Sequence, residues 1–398
     1  MITILNCSVC GKRLEKALNL KAYPLLTSAC PKDTIVPLLP IVAGYCPNCS
    51  HVQLIERPSP EELDTIYLGE YTNVMEKGVL SSADQMALDC KAFFDFADGG
   101  KLPKGSQVLE IGCFDGSFLS LFEGCKLKGC EPNPMGRLAA ECYGVEVVPR
   151  YFSATDFEMS SVDLVIMRHL IEHLPEPLKV LEECRHILKK EGRLLIETPN
   201  IEHTLTQNVV GNFYHQHLHY FSRESLPLLL HNAGFEIVAH TIMDFRQFVV
   251  AAKVENTIDA QVDSLMSYGV LINSKIHKYC LYLKKLQLNI AEWFMSNPNR
   301  IAIYGASSTA TGIVYAGGLP LHRLAYLVDA DPRKHGKVLP GTNCAVFSPE
   351  HLREDPVETV FIASDFFKEE IKVLLKTQFP SVVKHCIVSH PHFVVETL

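Results

Sequence analysis

No run of basic residues interrupts this chain, no apolar stretch approaches the roughly 20 residues needed to cross a bilayer, and only one tryptophan occurs in 398 residues. With a formal net charge of −8 and no basic patch, the composition argues against nucleic acid or an anionic membrane as the main partner. The opening MITILNCSVC runs directly into a cysteine pair rather than into the apolar core of a signal peptide. A cytoplasmic protein is expected. Internal repeats and low-complexity segments are also missing.

What is present is an ordinary globular composition, 47% hydrophobic and 21% charged. At roughly 100 to 200 residues per domain the length predicts two or three folding units. Fourteen cysteines in a reducing compartment point to thiols or metal ligands rather than disulfides. Cys7 and Cys10 stand in CSVCG, Cys46 and Cys49 in CPNCS, two CxxC pairs separated by 35 residues. Two such pairs complete a tetrahedral Zn²⁺ shell, and four sulfur ligands leave no position for water or substrate. A structural zinc is expected, stapling an N-terminal module over residues 1–60 that buries little surface of its own.

The stretch SQVLEIGCFDGSFLSLFEG reads as a buried strand over 107–111, a glycine turn, and a helix opening near Gly116. Glu110, Gly112 and Gly116 form an ExGxxxG turn in which the glycines let backbone approach a ligand. A second strand, KLKGCEPN, ends at Glu131, about 20 residues after the first glycine, where an acid reaches ribose hydroxyls. The turn is not the GxGxxG of dinucleotide-binding folds. It resembles motif I of the class I S-adenosylmethionine (SAM) methyltransferases, and SVDLVIMRHLIEHLPEP and GRLLIETPN extend the resemblance as strands four and five. That resemblance implies SAM as cofactor. It puts Gly112 and Asp115 against the methionine and ribose, Glu131 on the ribose, and Arg168 and His169 along the cofactor's border.

After strand five comes NFYHQHLHYFS, with His215, His217 and His219 at alternate positions. In an extended segment alternate side chains share a face, so the three imidazoles are placed to converge on one point, either a metal ion or a substrate proton. At this point the chain resembles the sugar C-methyltransferases that build branched deoxysugars, which carry a four-cysteine zinc module, a SAM domain and a C-terminal Rossmann-like domain in this order. The resemblance rests on Tyr214-His215-Gln216-His217-Leu218 followed by Tyr220-Phe221-Ser222. It implies His217 as the base acting on the carbon next to a 4-keto group, with His173 and Tyr214 hydrogen-bonding the oxyanion or the sugar. The family has a glutamate where Gln216 stands, and usually an asparagine where His169 stands. The small-molecule substrate implied is a nucleotide sugar. An O-methyltransferase of a sugar or small metabolite, and a non-catalytic SAM- or sugar-binding scaffold, are the alternatives.

Downstream, SLMSYGVLINSKIHKYCLYLKKLQLNIAEWF predicts a long amphipathic helix with Trp293 on its buried face. NRIAIYGASSTATGIVYAGG and RLAYLVDADPRKHGKVLPGT then read as a second α/β unit containing Gly305, Gly312 and Asp329. The sugar enzymes usually have a lysine at the position of Thr309; Ser307 and Thr309 either line an acceptor pocket or cap a helix. The expected organisation is an α/β protein: zinc-binding module 1–60, SAM methyltransferase domain with a Rossmann-like fold 61–255, and a second Rossmann-like domain 256–398.

Overall fold

A strand such as QVLEI, buried from Val108 to Ile111, belongs at the centre of a parallel sheet covered on both faces. The computed structural model describes residues 1–67, 82–97, 102–254, 266–364 and 367–398. It divides the chain into two compact units, the first made of Met1–Glu15, Tyr45–Ile201 and His217–Ile272, the second of Lys16–Gly44, Glu202–Gln216 and Asn273–Leu398. Both cysteine pairs fall in the first unit. The stretch between them falls largely in the second.

In the first unit, that buried strand, β1 (Gln107–Ile111), is followed by β2 (Lys126–Cys130), β3 (Glu146–Val148), β4 (Val162–Arg168), β5 (Leu188–Pro199), β6 (Phe235–Met243) and β7 (Arg246–Lys253). Their order across the sheet is β3-β2-β1-β4-β5-β7-β6. The first five pair in parallel, and β7 pairs antiparallel with both β5 and β6. The chain leaves β1 for one side of the sheet and returns to the other side at β4, so a crevice opens at the carboxyl ends of these two strands. That is where open α/β sheets bind ligands. Phe94, Phe118, Leu119, Phe122, Leu164, Leu195 and Phe248 form the core on one face.

The predicted helix after the glycine turn is reduced to one 3-10 turn, Leu119–Leu121. Only nine residues separate Gly116 from β2, and Gly124, at φ +77°, turns the chain back. Phe118, Leu119 and Phe122 point into the core instead of lining a helix face. Gly116 is required by contact: at φ +76° a Cβ there would stand 2.6 Å from the Cβ of Ala139 on the helix Gly136–Tyr143.

The second unit contains β8 (Ile301–Tyr304), β9 (Leu324–Val328), β10 (Val346–Phe347), β11 (Thr359–Ile362), β12 (His385–Val388) and β13 (Val394–Thr397), in the order β10-β9-β8-β11-β12-β13. All pairs are parallel except β12 with β13. Gly312 lies within the helix Ser308–Tyr315, where a Cβ would meet the backbone of Gly211 at 2.5 Å; it serves close packing rather than a ligand turn. The Ser307 hydroxyl donates to the Ala363 carbonyl at 3.0 Å and makes no cap hydrogen bond.

The long helix is Met266–Ser296; Ser264 and Leu265 of the predicted segment lie outside the described residues. Its buried side is Ile272, Ile276, Tyr279, Leu283, Leu286, Ile290 and Phe294, at the three- and four-residue spacing of one helix face. Phe294, not Trp293, closes that stripe, one position on; Trp293 is only partly buried and meets the edge of Phe294 at 4.8 Å. Among the described residues no helix is long and apolar enough to cross a membrane.

Candidate active site

The two CxxC pairs fold as matching loops. The Gly11 N–H donates to the Cys7 carbonyl and the Ser50 N–H to that of Cys46, with Gly11 at φ +71° and Ser50 at φ +61°. The four sulfurs lie within 4.8 Å of one another, with Cys7 Sγ 3.5 Å from Cys49 Sγ and Cys10 Sγ 3.4 Å from Cys46 Sγ. These separations are far beyond a disulfide's roughly 2.05 Å and near the roughly 3.8 Å edge of a tetrahedron with 2.3 Å metal–sulfur bonds. The Val9 N–H points at Cys7 Sγ at 3.4 Å. Sulfurs packed this closely cannot all ionise without a cation between them. The donor set fits zinc.

The glycine loop leaves β1 at Gly112, which at φ +75° sends its N–H to the Cys130 carbonyl at 2.8 Å. Glu131, at the end of β2, accepts from Phe114 N–H at 2.9 Å through Oε2 and from Asn133 N–H at 2.8 Å through Oε1. Burial pushes this carboxyl's pKa upward, against the pull of the two N–H groups. A carboxylate has roughly four acceptor sites, so two remain for hydroxyls. Asp115 turns back to accept from the Ser117 N–H at 3.0 Å and so shapes the loop. Glu110 is buried, its Oε2 has no hydrogen-bond partner among the described residues, and burial lifts its pKa to about 8 despite Arg168.

At the ends of β4 and β5 lies a buried charge network. Arg168 Nε donates to Glu197 Oε2 at 2.6 Å while its guanidinium stacks 4.1 Å from the Phe118 ring centre. Arg246 holds the other oxygen, Oε1, at 3.2 Å, and Asp89 Oδ2 at 3.0 Å. Burial alone would raise Glu197, but His169 and Arg168 hold it down at about 2. His169 takes the left-handed conformation at φ +48°, a costly one for a residue with a Cβ, and its N–H donates to the Glu197 carbonyl at 2.8 Å. Its ring lies between two carboxylates, 3.6 Å from Glu172 Oε1 and 3.5 Å from Glu197 Oε1. Burial pushes its pKa down and the two acids lift it to about 9. His169 is therefore an imidazolium at neutral pH.

The three alternate histidines do not converge. A turn at His215–Gln216 breaks the extended run, and only His219–Tyr220 is strand. His215, in the second unit with Tyr214 and Gln216, is fully buried, its ring nitrogens 3.3 and 3.4 Å from the carbonyls of Pro24 and Pro40. His219 pairs with His51, Nδ1 to Nε2 at 3.0 Å, where β-bridging sets His219 opposite Gln53. Burial, with Arg57 nearby, keeps both imidazoles neutral, His51 down at about 3.

His217 goes to a third place. Its ring packs edge-on to His173 at 4.8 Å and to Tyr220 at 5.9 Å. His173 Nδ1 is 3.1 Å from the Tyr67 hydroxyl, and its Nε2 is 4.0 Å from Glu172 Oε1. Burial and His173 hold the His217 pKa at about 3, so the imidazole is neutral and able to take a proton. Glu172, His173 and His217 offer ligand atoms within 4.8 Å of one another. The 4.0 Å gap exceeds the roughly 3.3 Å edge of a tetrahedral shell with 2.0 Å bonds, and the arrangement reads as an acid–base cluster.

Of the residues the sequence reading singled out, His173 and His217 come together in the first unit, as do Arg168 and His169. Four participants were missed: Glu172, Glu197, Tyr67 and His51. Glu172 stands directly before His173 in IEHLPEP, and His51 follows CPNCS at once, so both had a local signal. Tyr67 and Glu197 had none, because only the folded chain brings them in.

A family model described as a methyltransferase domain matches residues 83–240, covering β1 to the first part of β6. The sheet order and crevice of this part of the first unit are those of the class I SAM methyltransferase fold. A second model, the C-methyltransferase C-terminal domain, matches residues 272–381. The chain thus matches a methyltransferase domain and, after it, a C-methyltransferase C-terminal domain. It is similar to the C-methyltransferase NovU of Streptomyces niveus, 25% identical over 63% of this chain and 64% of that protein. It is also similar to the ubiquinone biosynthesis O-methyltransferase of Actinobacillus pleuropneumoniae serotype 5b (strain L20), 28% identical over 24% of this chain and 47% of the relative. The matches thus span less than two thirds of these relatives' own lengths. A crystal structure of a SAM-dependent methyltransferase from Aquifex aeolicus is similar over 50% of this chain and 100% of its own, at 19% identity and a TM-score of 0.37.

Proposed function

We propose that this protein transfers the methyl group of SAM to a carbon acid, the carbon next to the keto group of a nucleotide-linked 4-keto-deoxysugar, with His217 as base. The observation that carries the reading is the neutral His217 ring against His173, beside the carboxylate of Glu172, in a chain whose C-terminal part matches a C-methyltransferase domain. A carbon α to a ketone is acidic enough for a positioned imidazole, and His217 is held in the neutral form that accepts a proton. His217 takes the proton, the electron pair stays on the substrate as an enolate, and its carbon is the nucleophile that takes up the methyl group in line, with the thioether sulfur as the leaving group. SAM, when bound, supplies the electrophilic methyl and carries the sulfur away with the bonding pair. Glu131 holds the ribose through its unused acceptor sites; Gly112 and Gly116 let the loop backbone close on the cofactor; Glu110, Asp115, Arg168 and His169 shape that wall. His173 and Tyr214 are assigned to the oxyanion or the sugar, and Gln216 to the substrate side by amide hydrogen bonds. Residues 1–60 act as the zinc module, 61–255 as the SAM domain and 256–398 as the C-terminal domain of a cytoplasmic enzyme.

Incubation with methyl-labelled SAM and nucleotide-linked 4-keto-deoxysugars, read by NMR, is expected to put the label on the carbon α to the ketone. Label on oxygen, or none on any keto-sugar, defeats the reading. Zinc, held by Cys7, Cys10, Cys46 and Cys49, is expected at about one atom per chain by metal analysis, and Cys46→Ser is expected to lose it while SAM still binds. Protein purified without chelator that carries no zinc refutes this part.

A further inference from the structure

Glu172 is almost wholly buried, 1% exposed, and its two oxygens have different fates. Oε2 accepts from the Thr198 hydroxyl at 2.9 Å. Oε1 accepts no hydrogen bond among the described residues, yet stands 3.6 Å from His169 Nδ1 and 4.0 Å from His173 Nε2. Burying a carboxylate with half its capacity unused is costly unless a cation offsets it. His169, already shared with Glu197, offsets part of it. The two other imidazoles, of His173 and His217, offer ring nitrogens within 4.8 Å of this carboxylate.

We infer that Glu172 is the charge partner of the His173–His217 pair, a positioning residue whose Oε1 stabilises the imidazolium formed when His217 takes the substrate's proton. The inference rests on the reading of His217 as base. Tyr67 engages His173 Nδ1, which leaves Nε2 as the nitrogen facing Glu172. His173 then packs edge-on to His217, with the ligand atoms of all three side chains inside 4.8 Å. Before proton transfer, His217 is neutral and its environment disfavours charge through burial and His173. Proton transfer creates the cation, and the nearby carboxylate is the group that favours it. Among the described residues the groups facing this pair include Glu172, His169, Tyr67 and Tyr220, with Thr198 behind Glu172 and Glu197 behind His169. In that set Glu172 is the anion closest to both rings.

The test is Glu172→Gln in the full chain, which keeps the side-chain volume and an acceptor for Thr198 but removes the charge. A drop in kcat on the order of 10- to 100-fold is expected, below the 10²- to 10⁴-fold typical of losing a base, with KM for SAM unchanged. The acid limb of the kcat–pH profile is expected at lower pH, because loss of the anion weakens proton binding at His217. Glu172→Asp, which keeps the charge, is expected to restore part of the rate and of the limb. Wild-type kcat and limb in Glu172→Gln overturn the inference, as does equal damage in both variants.

Histidine titration by NMR without substrate separates this inference from the functional reading. Lowered His173 and His217 titrations in Glu172→Gln support the coupling whatever the acceptor is. Unmoved titrations overturn it. Activity that vanishes on chelation and returns with a divalent cation, while the cysteine-bound zinc stays in place, also overturns it, since the cluster would then seat a metal.

Discussion

Each of the two units ends its second strand in an acid that reaches back to the glycine loop after the first. In the first unit Glu131 accepts from Phe114 N–H and Asn133 N–H; in the second, Asp329 accepts from Ala306 N–H at 2.8 Å and Asp331 N–H at 2.9 Å. The same architecture solves the same problem, anchoring a turn whose backbone donors have no partner in the sheet. The difference is a cation. Lys334 Nζ lies 2.9 Å from Asp329 Oδ2, whereas Glu131 has no such partner among the described residues. An acid already paired with lysine has little left for a ligand's hydroxyls, while Glu131 retains acceptor sites. The two units thus use one device with different reserves: in the second the acid anchors and pairs with a lysine, in the first it anchors and keeps acceptor sites for the ribose proposed above.

The strongest way to break this contrast is to remove the chemistry assigned to the first unit. His217→Asn keeps a hydrogen-bonding group of similar size that cannot take a proton, and a loss of roughly 10² to 10⁴ in rate is expected with SAM affinity nearly intact, measured by turnover and calorimetry. Next, the paired variants Glu131→Ala and Asp329→Ala compare the acids directly. The first is expected to weaken SAM binding by roughly 1.5 to 3 kcal/mol, the value of a charge-assisted bond, or about 10- to 150-fold in Kd. The second is expected to leave SAM binding unchanged and to destabilise the second unit; equal losses of SAM affinity would erase the distinction.

The smallest effect concerns pH. His169, lifted to about 9 by Glu172 and Glu197, adds stability that is complete below its ordinary pKa of roughly 6.5 and is lost as pH rises through about 9. The two acids, held near 2, add stability present above roughly 4.3 and lost only as pH falls through about 2. Melting of the first unit, followed by hydrogen exchange, is expected to weaken between pH 7 and 10, and His169→Asn to flatten that slope. An unchanged slope in the variant would remove His169 from the account.

The strands and the glycine loop were legible in the sequence because their signals are contiguous: QVLEI, the ExGxxxG turn and the acid after β2 lie within 25 residues. The histidines were not legible as a set. Period-two alternation predicts one face only while the backbone stays extended, and the turn at His215–Gln216 sends three imidazoles to three environments. Trp293 was misplaced for a related reason: one position along a helix is about 100° of rotation, and the stripe ends on Phe294. The partnership of Glu197 with Arg168, 29 residues away, and with Arg246, 49 residues away, depends on strand order, which no local pattern states.

The bond between His51 and His219 has a consequence for how the protein fails. His51 lies two residues after Cys49, and His219 two residues after His217, so the proposed metal site and the proposed base are joined by one N–H···N link and short lengths of backbone. The strand Val52–Arg57 carries the same tether, its Leu54 N–H held by the Leu218 carbonyl at 3.0 Å. A chain starved of metal would keep its seven-stranded sheet and its affinity for SAM, yet lose the anchor that fixes the base. Such molecules would accumulate as a loaded but idle population, visible in a binding assay and silent in turnover. Metal supply would then act as a final step of maturation, separate from folding of the sheet.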